Sequence, residues 1–195
     1  MDFKLIVELL DRQINDKPDL SAGSRELDNF LRNHFQISFL DKIDLGRLDI
    51  EFKEKVRHAL TTDTVSNDIR SIYFGLLTFA GDSDDTSLTT IHVAGSKSTP
   101  GEDEEWACDV DYKNRSYINL TDFALIDSSL KGELEDKGII EVVVFNGLLN
   151  LLLINSVDLI KGLTFHGYSL TDRQSLWLGA GFDSGDCYVL GKVSA

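Results

Sequence analysis

With 195 residues, 42% of them hydrophobic and 27% charged, the chain has the composition of a globular domain and is long enough to bury about 70% of its unfolded surface unaided. Its 33 acidic against 19 basic side chains leave a net charge of −14. That balance excludes nucleic acid and anionic membranes as partners, because both are bound through Lys and Arg.

The first third reads as helical. Phe3, Ile6, Val7, Leu10 and Ile14 fall at helical spacing with Glu8, Asp11 and Arg12 opposite, which predicts an amphipathic helix ended by Asp16-Lys17-Pro18. Ser24 is placed to cap a second helix carrying Leu27, Phe30, Leu31 and Phe35. Leu48, Phe52, Val56 and Leu60 predict a third, followed by a polar run over residues 61–68. The N-terminus does not read as a secretory signal, since Glu8 and Asp11 interrupt it.

Beyond residue 66 the pattern changes to strands and turns. Residues 72–79 are aromatic and branched and predict a strand buried on both faces. After the turn at residues 81–85, residues 88–94 alternate, with Ile91 and Val93 on one side and Thr90, His92 and Ala94 on the other. The two segments predict a β-hairpin with a long loop. Residues 95–105 form a polar, acidic loop, and a further short strand is expected over 106–110. Residues 139–161 combine β-type residues with polar positions at Asn146, Gly147, Asn150, Asn155, Asp158 and Lys161. We read a mostly buried helix with one narrow polar stripe, broken near Asn155, with strand as the alternative. The stretch 139–154 is shorter than the ~20 apolar residues of a membrane span. Residues 176–182 and 187–193 predict a last hairpin, with Gly185 of the Ser184-Gly185 pair taking positive φ in its turn.

No phosphate-binding loop, dinucleotide fingerprint, nucleophile elbow or His-Glu-x-x-His pattern occurs, so no cofactor and no catalytic residue is assigned. His34, His58, His92 and His166 are not at metal-ligand spacing. His92 could meet Cys108 or Asp109 in space and form a nucleophile–base pair, although two scattered residues are no motif. Cys108 and Cys187 read as reduced, partly buried thiols of a cytoplasmic protein.

The dense polar features are acidic: Asp82, Asp84 and Asp85; then Glu102, Asp103, Glu104 and Glu105 with Asp109 and Asp111; then Asp183 and Asp186. They are solvated loop charge, a docking surface for a basic protein, or, at 82–85, a Ca²⁺ loop that lacks the usual Gly and distal Glu. Trp106 follows the four acids as either an interface anchor or a core side chain, and Trp177 reads as core.

Ile72-Tyr73-Phe74-Gly75-Leu76, Val93-Ala94-Gly95-Ser96, Trp106-Ala107-Cys108-Asp109 with Tyr112, and Gly181-Phe182-Asp183-Ser184-Gly185-Asp186 form an ordered set of segments. The order resembles a set of acidic, uncharacterised bacterial proteins, some taken to be immunity proteins of toxin–immunity loci. The resemblance covers the C-terminal two thirds and implies a non-enzymatic protein that occludes a toxin domain.

These readings lead to one α+β domain over residues 1–195, helical over about 1–66 and sheet-containing over 67–195. Helices should pack on one mainly antiparallel sheet built from the two hairpins. The expected function is binding of a basic protein through Glu102, Asp103, Glu104, Glu105, Trp106, Asp109, Asp111 and Tyr112. The alternative is a small enzyme or ligand-binding domain with a site assembled from distant residues.

Overall fold

The computed structural model describes residues 3–62, 65, 66, 68–80, 87–108, 110–114, 117–130, 137–166, 175–182 and 187–194. The chain is α+β. Helices α1 (Phe3–Asp16), α2 (Leu20–Phe35) and α3 (Leu45–Thr62) precede strands β1 (Ser71–Ala80), β2 (Ser87–Ser96) and β3 (Tyr112–Lys113). Helices α4 (Thr121–Ser129), α5 (Lys137–Glu141), α6 (Gly147–Ile154) and α7 (Val157–His166) follow, and β4 (Ser175–Phe182) and β5 (Cys187–Ser194) close the fold.

The helices end where backbone chemistry requires. Lys17 turns left-handed (φ 48°) ahead of Pro18, which stops α1. Asp19, not Ser24, caps α2: its carboxylate accepts from Ala22 N at 2.8 Å. Ser24 lies a full turn inside the helix and is buried. An acid placed directly after Pro18 meets the free N–H groups first.

The sheet has the order β3-β2-β1-β4-β5. Both expected hairpins form, with β1 antiparallel to β2 and β4 antiparallel to β5, but β1 and β4 pair in parallel. The sheet is therefore mixed rather than mainly antiparallel. Each hairpin puts its more apolar strand first. The chain returns through α4–α7 before β4, so the two apolar strands meet at the centre running the same way. The strand expected over 106–110 is absent: residues 104–108 turn, and pairing with β2 begins at Tyr112. β1 is buried only through Leu76, and Phe79 is exposed. The last turn, Gly185 included, and the acids at 82–85 lie outside the described residues.

One sheet face carries Ile72, Phe74, Leu76, Ile91, Val93, Leu176, Leu178 and Ala180 into the core beneath the helices. Residues 137–154 run as α5, a π-helical segment at Val142–Asn146, and α6. α6 packs against α1, α2 and β5, and the π segment reaches β4. A helix enclosed in this way is apolar all round. Asn146 and Asn150 are consequently buried, not a solvent-facing stripe. The break comes at Asn155, whose Nδ2 donates to Leu151 O at 2.8 Å and to Pro18 O at 3.2 Å. No single described helix is long and apolar enough to cross a membrane, although Gly138–Ile154 and Val157–Leu163, bent by 60°, pass that test of length and composition together. Positions 143–153 of that pair are buried inside the fold.

Candidate functional site

The second face of the sheet has a different character. Strand alternation places Tyr73, Gly75, His92, Ala94, Gly179 and Gly181 on it. Glycine in a strand leaves the backbone open to close approach, and two of these glycines are occupied from above. The space of a Cβ on Gly75 is filled by the His92 ring, with Nε2 only 1.9 Å from that position. A Cβ on Gly179 would lie 2.7 Å from Trp106 Cη2. Tyr73 stands between the two rings, edge-on to Trp106 at 6.2 Å and to His92 at 5.9 Å between centroids. Its hydroxyl donates to Phe182 O at 3.0 Å.

Trp106 arrives on a loop held together by its own acids. Arg70 Nη1 donates to both Glu102 oxygens at 2.8 Å, and Glu102 Oε2 accepts from Thr99 N and Oγ1, each at 3.1 Å. The Arg70 guanidinium, outweighing partial desolvation, holds the Glu102 carboxyl below its ordinary range. Asp103 Oδ1 accepts from Glu105 N at 2.9 Å. Asp111 Oδ2 accepts from Lys97 N at 2.8 Å. Lys97 Nζ lies 2.8 Å from Asp68; that contact and the bond from Ser66 bring the Asp68 carboxyl down to about 2.

The eight residues expected to bind a partner thus divide. Glu102, Asp103 and Asp111 build the loop. Glu104 and Glu105 are exposed and form no ion pair with a described residue. Trp106, 3% exposed, is buried beneath the loop on the second sheet face, over Gly179 and outside the main core. Tyr112 is half-buried against the main core. Asp109 lies outside the described residues. Trp177 is half-buried, with Lys192 Nζ 6.0 Å from its ring centroid, rather than core.

Beside Trp106 the loop leaves an open pocket of about 250 Å³ against the sheet, lined by Tyr73, His92, Cys108, Lys113, Phe182 and Cys187 among others. Pockets for drug-sized ligands run to roughly 300–1,000 Å³, so this one suits a few-atom ligand or one inserted side chain. Alternation placed His92 on this face, and the pocket it lines also contains Cys108, while Cys187, Tyr73 and Lys113 were missed. The available signal was the trio Gly75, Gly179 and Gly181 inside strands. Both cysteines are free and exposed residues. Burial of its thiol, with a smaller contribution from Cys108, pushes Cys187 up to about 12, so it stays protonated at neutral pH. No Asp or Glu is among the described lining residues. Among the described residues, no group of three or more His, Cys, Asp or Glu is placed to hold a metal. Comparison with family models, curated proteins and solved structures gave no match to this chain.

Proposed function

We propose that the chain is a cytoplasmic, non-enzymatic binding protein that captures a basic protein domain, in the manner of an immunity protein. The observation that carries the reading is the fixed presentation of Glu104 and Glu105. Arg70–Glu102 holds one side of their loop, Lys97–Asp111 its two ends, and Trp106 in the Gly179 slot its centre. Both acids therefore point outward from an ordered turn, and a partner binds without the cost of ordering that loop. Long-range attraction by the −14 chain brings a basic surface to them. The pocket lined by Ala107 and Cys108, further along the same loop, accepts one side chain of that partner.

The test is capture of the partner by the full chain, followed by association kinetics at low and high salt for wild type and Glu104→Gln/Glu105→Gln. Association of the variant should slow several-fold at low salt and converge with wild type at high salt. Equal rates at low salt would remove the docking role.

One observation favours a second reading. His92, Cys108 and Lys113 line a common pocket with Cys187 of the last strand, as a small-ligand domain requires. A small ligand there shields the thiols from alkylation with no dependence on Glu104 or Glu105, which separates the two readings.

A further inference from the structure

The pocket wall brings together the only two cysteines of the chain. Cys187 stands opposite Gly181 in the β4–β5 register. Gly181 lies two residues beyond Gly179, on the same sheet face. Trp106 occupies the Gly179 slot, and Cys108 lies two residues beyond Trp106 in a turn closed by Cys108 N donating to Glu105 O at 2.7 Å. Cys108 on the loop and Cys187 on β5 both line the pocket beside that slot. Gly181, the partner of Cys187 across the β4–β5 pair, adds no side chain on that face.

We propose that Cys108 and Cys187 are a reversible redox pair, and that their disulfide staples the acidic loop to β5 across the mouth of the His92 pocket. The oxidant is a small-molecule disulfide such as glutathione disulfide. Cys108, as thiolate, attacks one sulfur of the oxidant, expels one glutathione thiolate and becomes a mixed disulfide. Cys187 then gives up its proton to water and attacks the Cys108 sulfur, releasing the second glutathione thiolate. Two protein thiols are oxidised and one glutathione disulfide is reduced to two glutathiones. Cys108 acts first because burial keeps Cys187 protonated. A covalent closure of so long an intervening chain restricts the unfolded state strongly. The inference goes beyond the partner-binding reading and stands without it.

The test is a redox titration of the full chain in glutathione/glutathione disulfide mixtures of stepped ratio, quenched with acid, alkylated and read by peptide mass spectrometry. Native protein should yield a linked Cys108–Cys187 peptide in a single transition, with far-UV circular dichroism unchanged. Oxidation should raise Tm by on the order of 5–10 °C. Cys187→Ser should instead accumulate glutathione on Cys108, and neither it nor Cys108→Ser should show the Tm rise. Wild type that accumulates glutathione independently on each cysteine overturns the proposal. So does linkage only between molecules, or linkage that appears only in denaturant. Because the titration contains no partner, its failure leaves the kinetics of Glu104 and Glu105 unaffected, and failure of those kinetics leaves the titration unaffected.

Discussion

Gly75 and His92 face each other across the β1–β2 pair, and the imidazole Nε2 lies 1.9 Å from where a Gly75 side chain would begin. The ring is walled in by Tyr73 as well, whose Cε1 is 2.8 Å from the same point. Gly75→Ala must therefore displace a buried ring, at about 2–3 kcal/mol for overpacking a core site. The double variant Gly75→Ala/His92→Ala should recover part of that loss, since the methyl then fills vacated space. Chemical denaturation of the three variants closes the cycle, and strictly additive effects would refute the contact.

Asp28 gives the fold an acid-sensitive joint. It is buried in α2, and desolvation alone would raise its carboxyl. Bonds from Arg32, from the Leu40 and Phe39 N–H groups and from Ser38 outweigh that and leave it below 3.8. A carboxyl lowered in the folded state stabilises the protein above its unfolded pKa and loses that contribution as pH falls through the folded value. Stability should thus decline as pH drops below 3.8. Asp28→Asn should cost about 1–3 kcal/mol at pH 7 and flatten the acid limb of a Tm–pH profile.

Asn150 contributes an opposite kind of expectation. It is 1% exposed in α6, and neither amide atom has a hydrogen-bond partner among the described residues. An unpaired buried amide costs free energy that a similar apolar side chain does not. Asn150→Leu should leave stability unchanged or raise it by about 1 kcal/mol. A loss well beyond 1 kcal/mol would reveal a partner for the amide.

Cys187 and Cys108 should differ in reactivity. The thiolate is the reactive form, and with Cys187 pushed up to about 12 its thiolate fraction at pH 8 is on the order of 10⁻⁴. Iodoacetamide at pH 8 should label Cys108 well before Cys187, and the Cys187 rate should still be climbing above pH 10. Equal labelling at pH 8 would show that its thiol is not desolvated.

Much of this architecture was legible locally. The 3.6-residue spacing of Phe3 to Ile14 and the alternation of Ile91 and Val93 with His92 place α1 and β2 because each pattern concerns one element and one buried face. The parallel pairing of β1 with β4 was not legible, since it depends on which of two apolar strands dock at long range. The acidic loop misled for a related reason. Glu102 and Asp111 look like solvated charge in sequence, and only their distance to Arg70 and Lys97 turns them into braces. The pocket lay beyond local patterns altogether, because Cys108 on the loop and Cys187 on β5 line one pocket only in the folded chain.

Trp106 holds the acidic loop against the sheet. Its indole lies over Gly179 and edge-on to Tyr73. Beneath it the sheet has no side chain at Gly179 to replace it. Trp106→Ala should cost about 3–5 kcal/mol, the usual range for deleting a buried aromatic. Gly179→Ala should reach a related state from the other side. Its methyl would meet Cη2 at 2.7 Å and Cζ2 at 2.8 Å, and Tyr188 O at 3.3 Å blocks relief in that direction. The indole must lift, so tryptophan emission should shift to the red, above the constant background of half-buried Trp177. Arg70–Glu102 and Lys97–Asp111 brace the loop at other points, so Gly179→Ala should leave the helical layer intact while residues 97–108 exchange amide protons faster. In the partner-binding reading this variant keeps every acid and loses only their fixed presentation. Its complex should then dissociate faster, with little change in association rate at low salt, since charge governs encounter and a preordered surface governs residence. Unshifted emission together with unchanged exchange would show that Trp106 does not anchor the loop.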